Sequence, residues 1–367
     1  MKFVCHKNAL QKEIALALDF TSQRNTLSVV SYVLLEAKNN KLTIKATDQK
    51  VGFTSTIDVE VHQEGSTTVY CEKFFSILRS LPDENVVFEE KGQRLFIQPE
   101  TKTIDFDLRT IEVDKFPSLE EASQVVEFSL AQKDLFEMID QTIFSISDDE
   151  TRHFMNGAYI EQQPNALVMV ATDGRRLSYI KRNIEQDIPS FVPITIPTRF
   201  LHLMKKSGTG EGEVVLGIKE NLLFASFGHQ TMYTTLIHGT FPNYKRVIPE
   251  KQTLSCVASI DDMNEALKRV SLLVENKAKR IFVELNQNQM IISSEESEFG
   301  QAKEVIACTY DGPATSFAMN YLYMVSPLRV MEGKMFSLCF TEPNKAITVR
   351  PDPEKDYFHI IMPMQID

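Results

Sequence analysis

The 367-residue chain sets 39 Lys and Arg against 50 Asp and Glu, a formal net charge of −11, with 43% hydrophobic and 24% charged residues. That is globular composition with apolar content for two or three cores, which excludes a largely disordered chain; no apolar run approaches the roughly 20 residues of a membrane-spanning helix. The amino terminus, Met1-Lys2-Phe3-Val4-Cys5-His6-Lys7, lacks a signal-peptide apolar segment, and Cys5, Cys71, Cys256, Cys308 and Cys339 are scattered and odd in number, as thiols of a reducing, cytoplasmic compartment are.

In chain order, residues 7–18 predict an amphipathic helix with Leu10, Ile14 and Leu18 as its apolar stripe. Two alternating runs, 33–37 and 41–45, follow across the polar turn Lys38-Asn39-Asn40 and lead to Ala46-Thr47-Asp48. A short aromatic-aliphatic helix over 73–78, strands at 86–89 and 95–97, and the step Phe116-Pro117 complete a first unit. The series then repeats. A helix over 130–139 precedes strands at 158–160 and 167–170, Ala171-Thr172-Asp173, a helix over 199–204, strands at 214–216 and 222–225, and Phe241-Pro242. The third series has a helix over 260–267 with acidic residues in its first turn, strands at 281–285 and 290–295, a helix over 321–325, strands at 336–340 and 346–349, and Met362-Pro363. Asp48 and Asp173 lie 125 residues apart, as do Pro117 and Pro242. A period of this length is a repeat of whole domains, since solenoid units run to roughly 20–50 residues. The expectation is an α+β protein of three similar domains, 1–121, 125–247 and 251–367, each with two helices and antiparallel sheets.

Catalytic constellations are missing. No phosphate-binding glycine loop, His-Glu-x-x-His, Cys/His quartet or Gly-x-Ser-x-Gly occurs, and the seven histidines are dispersed. Asp148-Asp149-Glu150 beside Arg152 is the densest acidic cluster; as a Mg²⁺ site it would make the protein a nuclease or nucleotide hydrolase, but it lacks the spacing and glycine of a metal loop. No enzyme, metal or cofactor is expected. The net charge alone argues against nucleic acid, whereas its distribution does not. Lys73 and Arg79, Arg199, Lys205 and Lys206, and Arg329 and Lys334 fall on the second helix of each repeat, with Lys268, Arg269, Lys277, Lys279 and Arg280 in the third, while acidic residues gather in loops. Such a basic lining would bind phosphates without reading sequence; a static DNA-binding scaffold is the competing class.

Three stretches, Ala171-Thr172-Asp173-Gly174-Arg175-Arg176-Leu177, Gly239 to Pro249, and Ile361-Met362-Pro363-Met364-Gln365, make the chain resemble the bacterial sliding clamp family, the β subunits of DNA polymerase III, over its whole length. The resemblance implies the DNA-clamp fold, a ring-shaped head-to-tail homodimer that encircles duplex DNA, and a non-catalytic processivity factor with the replicative polymerase catalytic subunit, an ATP-dependent clamp loader and other clamp-binding-motif proteins as partners. It implies DNA-facing roles for Arg24, Lys73, Arg79, Arg199, Lys205 and Lys206. A subunit interface would use Phe106, Leu108, Leu272, Leu273 and Glu298, with Lys73 near Glu298. A partner-peptide groove would use Met155, Thr172, Gly174, Arg175, Arg176, Leu177, Pro242, Arg246, Val247, Asn320, Tyr323, Ile361, Met362, Pro363 and Met364. Its occupant would be an extended Gln-Leu-x-Leu-Phe-like segment, for which unbranched methionines suit a site that accepts several sequences. The family usually carries His where Arg175 stands and commonly ends Met-Pro-Met-Arg-Leu where this chain has Met364-Gln365-Ile366-Asp367.

Overall fold

A computed structural model describes residues 1–22, 28–184 and 188–365. Among them are six α-helices: α1 (Lys7–Leu18), α2 (Cys71–Ser80), α3 (Gln132–Thr142), α4 (Thr198–Ser207), α5 (Ile260–Val270) and α6 (Tyr321–Val330). In α1 the buried face is Leu10, Glu13, Ile14, Leu16 and Ala17; Leu18, expected in the stripe, is only half-buried. A carboxylate on that face is tolerated because Ser55, His229 and Gln230 bond to Glu13 at 2.7, 3.2 and 2.9 Å. The Ser259 hydroxyl caps α5 by accepting from the amide of Asp262 at 3.2 Å, with Asp261 and Asp262 in its first turn and Lys268 and Arg269 in its last. No helix among the described residues is long and apolar enough to cross a membrane.

The chain forms two compact units, Met1–Lys133 with Arg199–Leu236, and Asp134–Thr198 with Ile237–Asp367. Each is organised by antiparallel sheets. The first unit has a five-stranded sheet in the order Glu60–Gln63, Lys2–His6, Asn85–Lys91, Arg94–Pro99, Phe106–Arg109. It also has an eight-stranded sheet: Val126–Ala131, Glu213–Lys219, Leu222–Phe227, Gln230–Thr235, Val51–Asp58, Lys41–Thr47, Tyr32–Lys38, Gly65–Tyr70. In the second unit the order is Ile194–Pro197, Gly157–Gln163, Ala166–Thr172, Arg176–Asn183, Tyr357–Ile361, Ile347–Asp352, Met335–Phe340, Leu254–Ser259, Lys303–Thr309, Gln289–Ser294, Arg280–Asn286, Thr315–Asn320. Asn39 and Asn40 adopt φ of 52° and 54° between paired Lys38 and Lys41, so the polar turn read from the sequence is a tight hairpin needing left-handed residues.

One pairing rule recurs. The strand after the first Ala-Thr-Asp, Val51–Asp58, pairs with Gln230–Thr235, in register from Gln230 opposite Ser55 to Thr234 opposite Val51. The strand after the second, Arg176–Asn183, pairs with Tyr357–Ile361, with Leu177 opposite Ile360. The third strand of this kind, Lys303–Thr309, is bound along Gln289–Ser294, but on its other side meets Leu254–Ser259 only at Cys308 and Thr309. Among the described residues, Phe106–Arg109 is likewise paired on one side only, to Arg94–Pro99.

Candidate functional site: an apolar cleft

The second Ala-Thr-Asp builds the floor of a cleft. Thr172 Oγ1 donates to the carbonyl of Arg176 at 2.6 Å and accepts from the amide of Gly174 at 3.0 Å. Asp173 Oδ1 accepts from the amides of Arg175 and Arg176 at 2.9 and 3.0 Å. These bonds curl the chain so tightly that Gly174 takes φ 85°, and a Cβ there would lie 3.1 Å from Arg152 Nη1. Arg176 is held by Asp173 Oδ2 at 3.1 Å and lies 4.7 Å over the Tyr323 ring. The chain end is fixed beside the turn, the Met362 amide donating to the Arg175 carbonyl at 2.9 Å and the Met364 amide to that of Ala318 at 2.8 Å.

A second wall comes from the segment after Phe241, where a 3₁₀ turn, Tyr244–Arg246, closes through the Val247 amide on the Tyr244 carbonyl at 3.1 Å. Its base is a buried cluster of Val168, Val170, Leu177, Phe241, Tyr244 and Ile360. The cavity of about 130 Å³ is lined by Met155, Thr172, Gly174, Arg175, Arg176, Leu177, Pro242, Asn243, Tyr244, Val247, Ile360 and Met362. Val247 and Met362 remain 48% and 40% exposed, apolar surface at the mouth. Such a lining accepts aliphatic or aromatic side chains, with backbone and arginine groups at the rim for polar contacts.

Nine expected groove residues therefore meet in one cleft. Arg246 is exposed outside the lining, Ile361 is buried in the sheet, and Pro363 and Met364 lie beyond it, half-buried. Asn320 is the N-cap of α6, accepting from the Leu322 amide at 3.0 Å, and Tyr323 reaches the site through Arg176. Asn243, Tyr244 and Ile360 were not singled out from the sequence. Strand alternation was the available signal for Ile360, two positions before Met362 on the same face.

Among the described residues, the lining of the cleft includes no histidine, cysteine or carboxylate. Behind its wall, Ser145, Ser178 and His359 form a buried chain, with hydroxyls 2.6 Å apart and Ser178 2.9 Å from His359 Nδ1. Burial, then the Arg176 charge, pushes the imidazole down to about 3, so it stays neutral near pH 7. Asp149 of the acidic cluster has both oxygens engaged, Oδ1 by Thr151 and Oδ2 by Arg152 at 2.8 Å. The described residues hold no metal-binding group of three or more His, Cys, Asp or Glu.

Of the expected DNA-facing residues, Arg24 lies outside the described residues; Lys73 and Arg79 are exposed on α2, with Arg79 5.8 Å over Phe75. Arg199 pairs with Asp48 and donates to the Asp19 carbonyl at 2.6 Å, Lys206 pairs with the Asp19 carboxylate, and Lys205 is half-buried on α4. Among the expected interface residues, Phe106, Leu108 and Leu273 are half-buried and Glu298 is exposed; Leu272 is 81% exposed and its neighbour Phe299 80%.

Family models for the DNA polymerase III beta subunit match the chain in three consecutive pieces: the N-terminal domain over residues 1–120, the central domain over 129–243 and the C-terminal domain over 245–365. The beta sliding clamp of Treponema pallidum is 42% identical over 372 residues, and that of Escherichia coli K12 26% over 368, each comparison covering all of both chains. Among solved structures, a DNA polymerase sliding clamp from Pseudomonas aeruginosa bound to griselimycin superposes with a TM-score of 0.94 at 27% identity, with both chains fully covered.

Proposed function

The chain belongs to the beta sliding clamp family, the non-catalytic processivity factors of DNA polymerase III, and from that premise we propose that two copies close head to tail around duplex DNA and hold partner proteins by the cleft. The observation that carries ring closure is the unfinished pairing rule. Within the chain, the strand after each Ala-Thr-Asp pairs with the closing strand of the next repeat. Among the described residues, the cognate strand of the third repeat, Lys303–Thr309, is paired on its second side only at Cys308 and Thr309, and the closing strand of the first, Phe106–Arg109, on one side only. A partner's copy supplies the missing mate in both cases, which satisfies two sheet edges by two-fold symmetry. Leu272, Phe299 and Val305, 81%, 80% and 54% exposed, supply the apolar contact, with Phe106, Leu108 and Leu273 beside them and Lys73 near Glu298. Substituting Leu272 and Leu273 together by Ala leaves a folded monomer by light scattering; a protein still dimeric at low micromolar concentration overturns the assignment.

Lys73, Arg79, Arg199, Lys205 and Lys206 line the DNA side and meet phosphates directly or through water. An ATP-driven loader places the ring on DNA in the cytoplasm. Nicked circular DNA retains it while linear DNA loses it from the ends; equal retention on both in physiological salt refutes topological binding and favours a static scaffold. The domain limits 1–121, 125–247 and 251–367 belong to the same proposal. The cleft takes the Leu and Phe of an extended Gln-Leu-x-Leu-Phe-like segment. Its apolar lining and exposed Met362 and Val247 support that reading, and partners compete for it.

A further inference from the structure

Glu161 lies on strand Gly157–Gln163, behind the wall that carries Pro242, Tyr244 and Val247, and does not line the cleft. Its side chain is 8% exposed as a residue, yet four donors converge on it. Tyr244 Oη donates to Oε1 at 2.7 Å, Lys245 Nζ stands 2.9 Å from the same oxygen, and Gln163 Nε2 donates to it at 3.0 Å. Tyr159 Oη reaches Oε2 at 3.4 Å. Burial alone would raise this carboxyl, but Lys245, Gln163 and Tyr244 together hold it below the ordinary glutamate value, so it is the anion that accepts these bonds. Tyr244 is 4% exposed, forms part of the cleft lining, and through its carbonyl closes the 3₁₀ turn that sets Val247. The phenol is pushed far up by burial and then by Glu161, so it remains a donor at every physiological pH.

We propose that Glu161 is the positioning residue of the cleft: by anchoring Tyr244 and Lys245 it fixes the Pro242–Val247 wall against which a partner's apolar side chain packs. A buried tyrosine hydroxyl without its acceptor would turn toward water and take the ring out of the lining. The inference rests on the reading of the cleft as a peptide site.

The test titrates a fluorescent Gln-Leu-Ser-Leu-Phe peptide against the full chain and the variants Glu161→Ala, Glu161→Gln, Tyr244→Phe and Glu161→Ala with Tyr244→Phe. Glu161→Ala weakens binding about tenfold, the scale of one lost buried charge-assisted hydrogen bond. Glu161→Gln keeps an acceptor at the same place and restores affinity to within about threefold of wild type. The double variant binds no worse than Glu161→Ala, because the carboxylate acts through the tyrosine hydroxyl. A merely structural role would lower the melting temperature and leave affinity unmoved. Glu161→Ala at wild-type affinity, or losses that multiply in the double variant, overturn the proposal. A wild-type protein that does not bind the peptide overturns instead the cleft reading beneath it. Light scattering reports dimer mass independently of the cleft and screens out variants that fail to fold.

Discussion

The chain makes the same turn twice and places it in two surroundings. At Ala46-Thr47-Asp48, Thr47 Oγ1 donates to the Val51 carbonyl at 2.7 Å and accepts from the Gln49 amide at 2.9 Å, and Asp48 Oδ1 accepts from Lys50 and Val51 at 2.9 and 3.0 Å. At Ala171-Thr172-Asp173 each bond has its counterpart. Even the next contact is shared: the Thr235 amide donates to the Lys50 carbonyl as the Met362 amide does to that of Arg175, at 3.0 and 2.9 Å. Only what surrounds the turn differs. Asp48 turns its second oxygen to Arg199, about 150 residues away in sequence, whereas Asp173 turns its own to neighbouring Arg176. Among the described residues, Thr235 closes no cavity of this kind that the structure records beside Lys50, while Met362 stays 40% exposed among the apolar side chains that line a cleft. A local motif therefore specifies a scaffold, and neighbours from elsewhere in the chain make one copy a site.

The largest break in that symmetry comes from removing residues 362–367. Peptide binding falls by on the order of a hundredfold or more, since a wall of the cleft is lost, while the mass by light scattering stays that of the full chain's assembly less the deleted residues. Retained affinity in the truncated protein would count against the site. Next come the two aspartates. Asp48→Ala and Asp173→Ala each lose two backbone hydrogen bonds and an ion pair and lower stability by about 2 kcal/mol in urea titrations. Only Asp173→Ala also weakens the peptide, by about tenfold, because only that turn floors the cleft; equal loss of affinity in both variants would show that the two surroundings do not differ in function.

Smaller effects sharpen the comparison further. Gly174 has φ 85° and Gln49 has φ 78°, so the same left-handed position is filled once by glycine and once by a side chain. Gly174→Ala costs about 1 kcal/mol and displaces Arg152, whereas Gln49→Gly costs nothing beyond about 0.5 kcal/mol in either direction by thermal unfolding. The smallest effect is in acid. Burial raises the Asp48 carboxyl, but the Arg199 hydrogen bond and the amides of Val51 and Lys50 outweigh it and leave it below its ordinary value of 3.8. A carboxylate depressed in the folded state contributes stability that is present above its unfolded value and lost as pH falls through the folded one. Stability measured below about pH 4 therefore declines less steeply in Asp48→Asn than in the wild type.

Much of the architecture was legible in the residues because its signals are local. The period of Leu10 and Ile14, the acidic first turn of α5, the Asn39-Asn40 turn and the Thr-Asp side chains that fold back on their own amides all act within a few positions. Leu18 misled because a periodic stripe does not say which turn the core covers. The groove residues, floor and chain-end wall alike, came from the resemblance and not from local pattern. Tyr244 and Glu161 came from neither: a tyrosine in a loop and a glutamate in a strand read as surface residues, and only the fold brings them to 2.7 Å across 83 positions of sequence. The ion pairs of Arg199 with Asp48 and of Lys206 with Asp19 were hidden likewise, since charge in a sequence has a sign but no partner. Hydrogen bonds closed within a turn are encoded where they form; contacts that join distant segments exist only once sheet pairing has chosen which strands become neighbours.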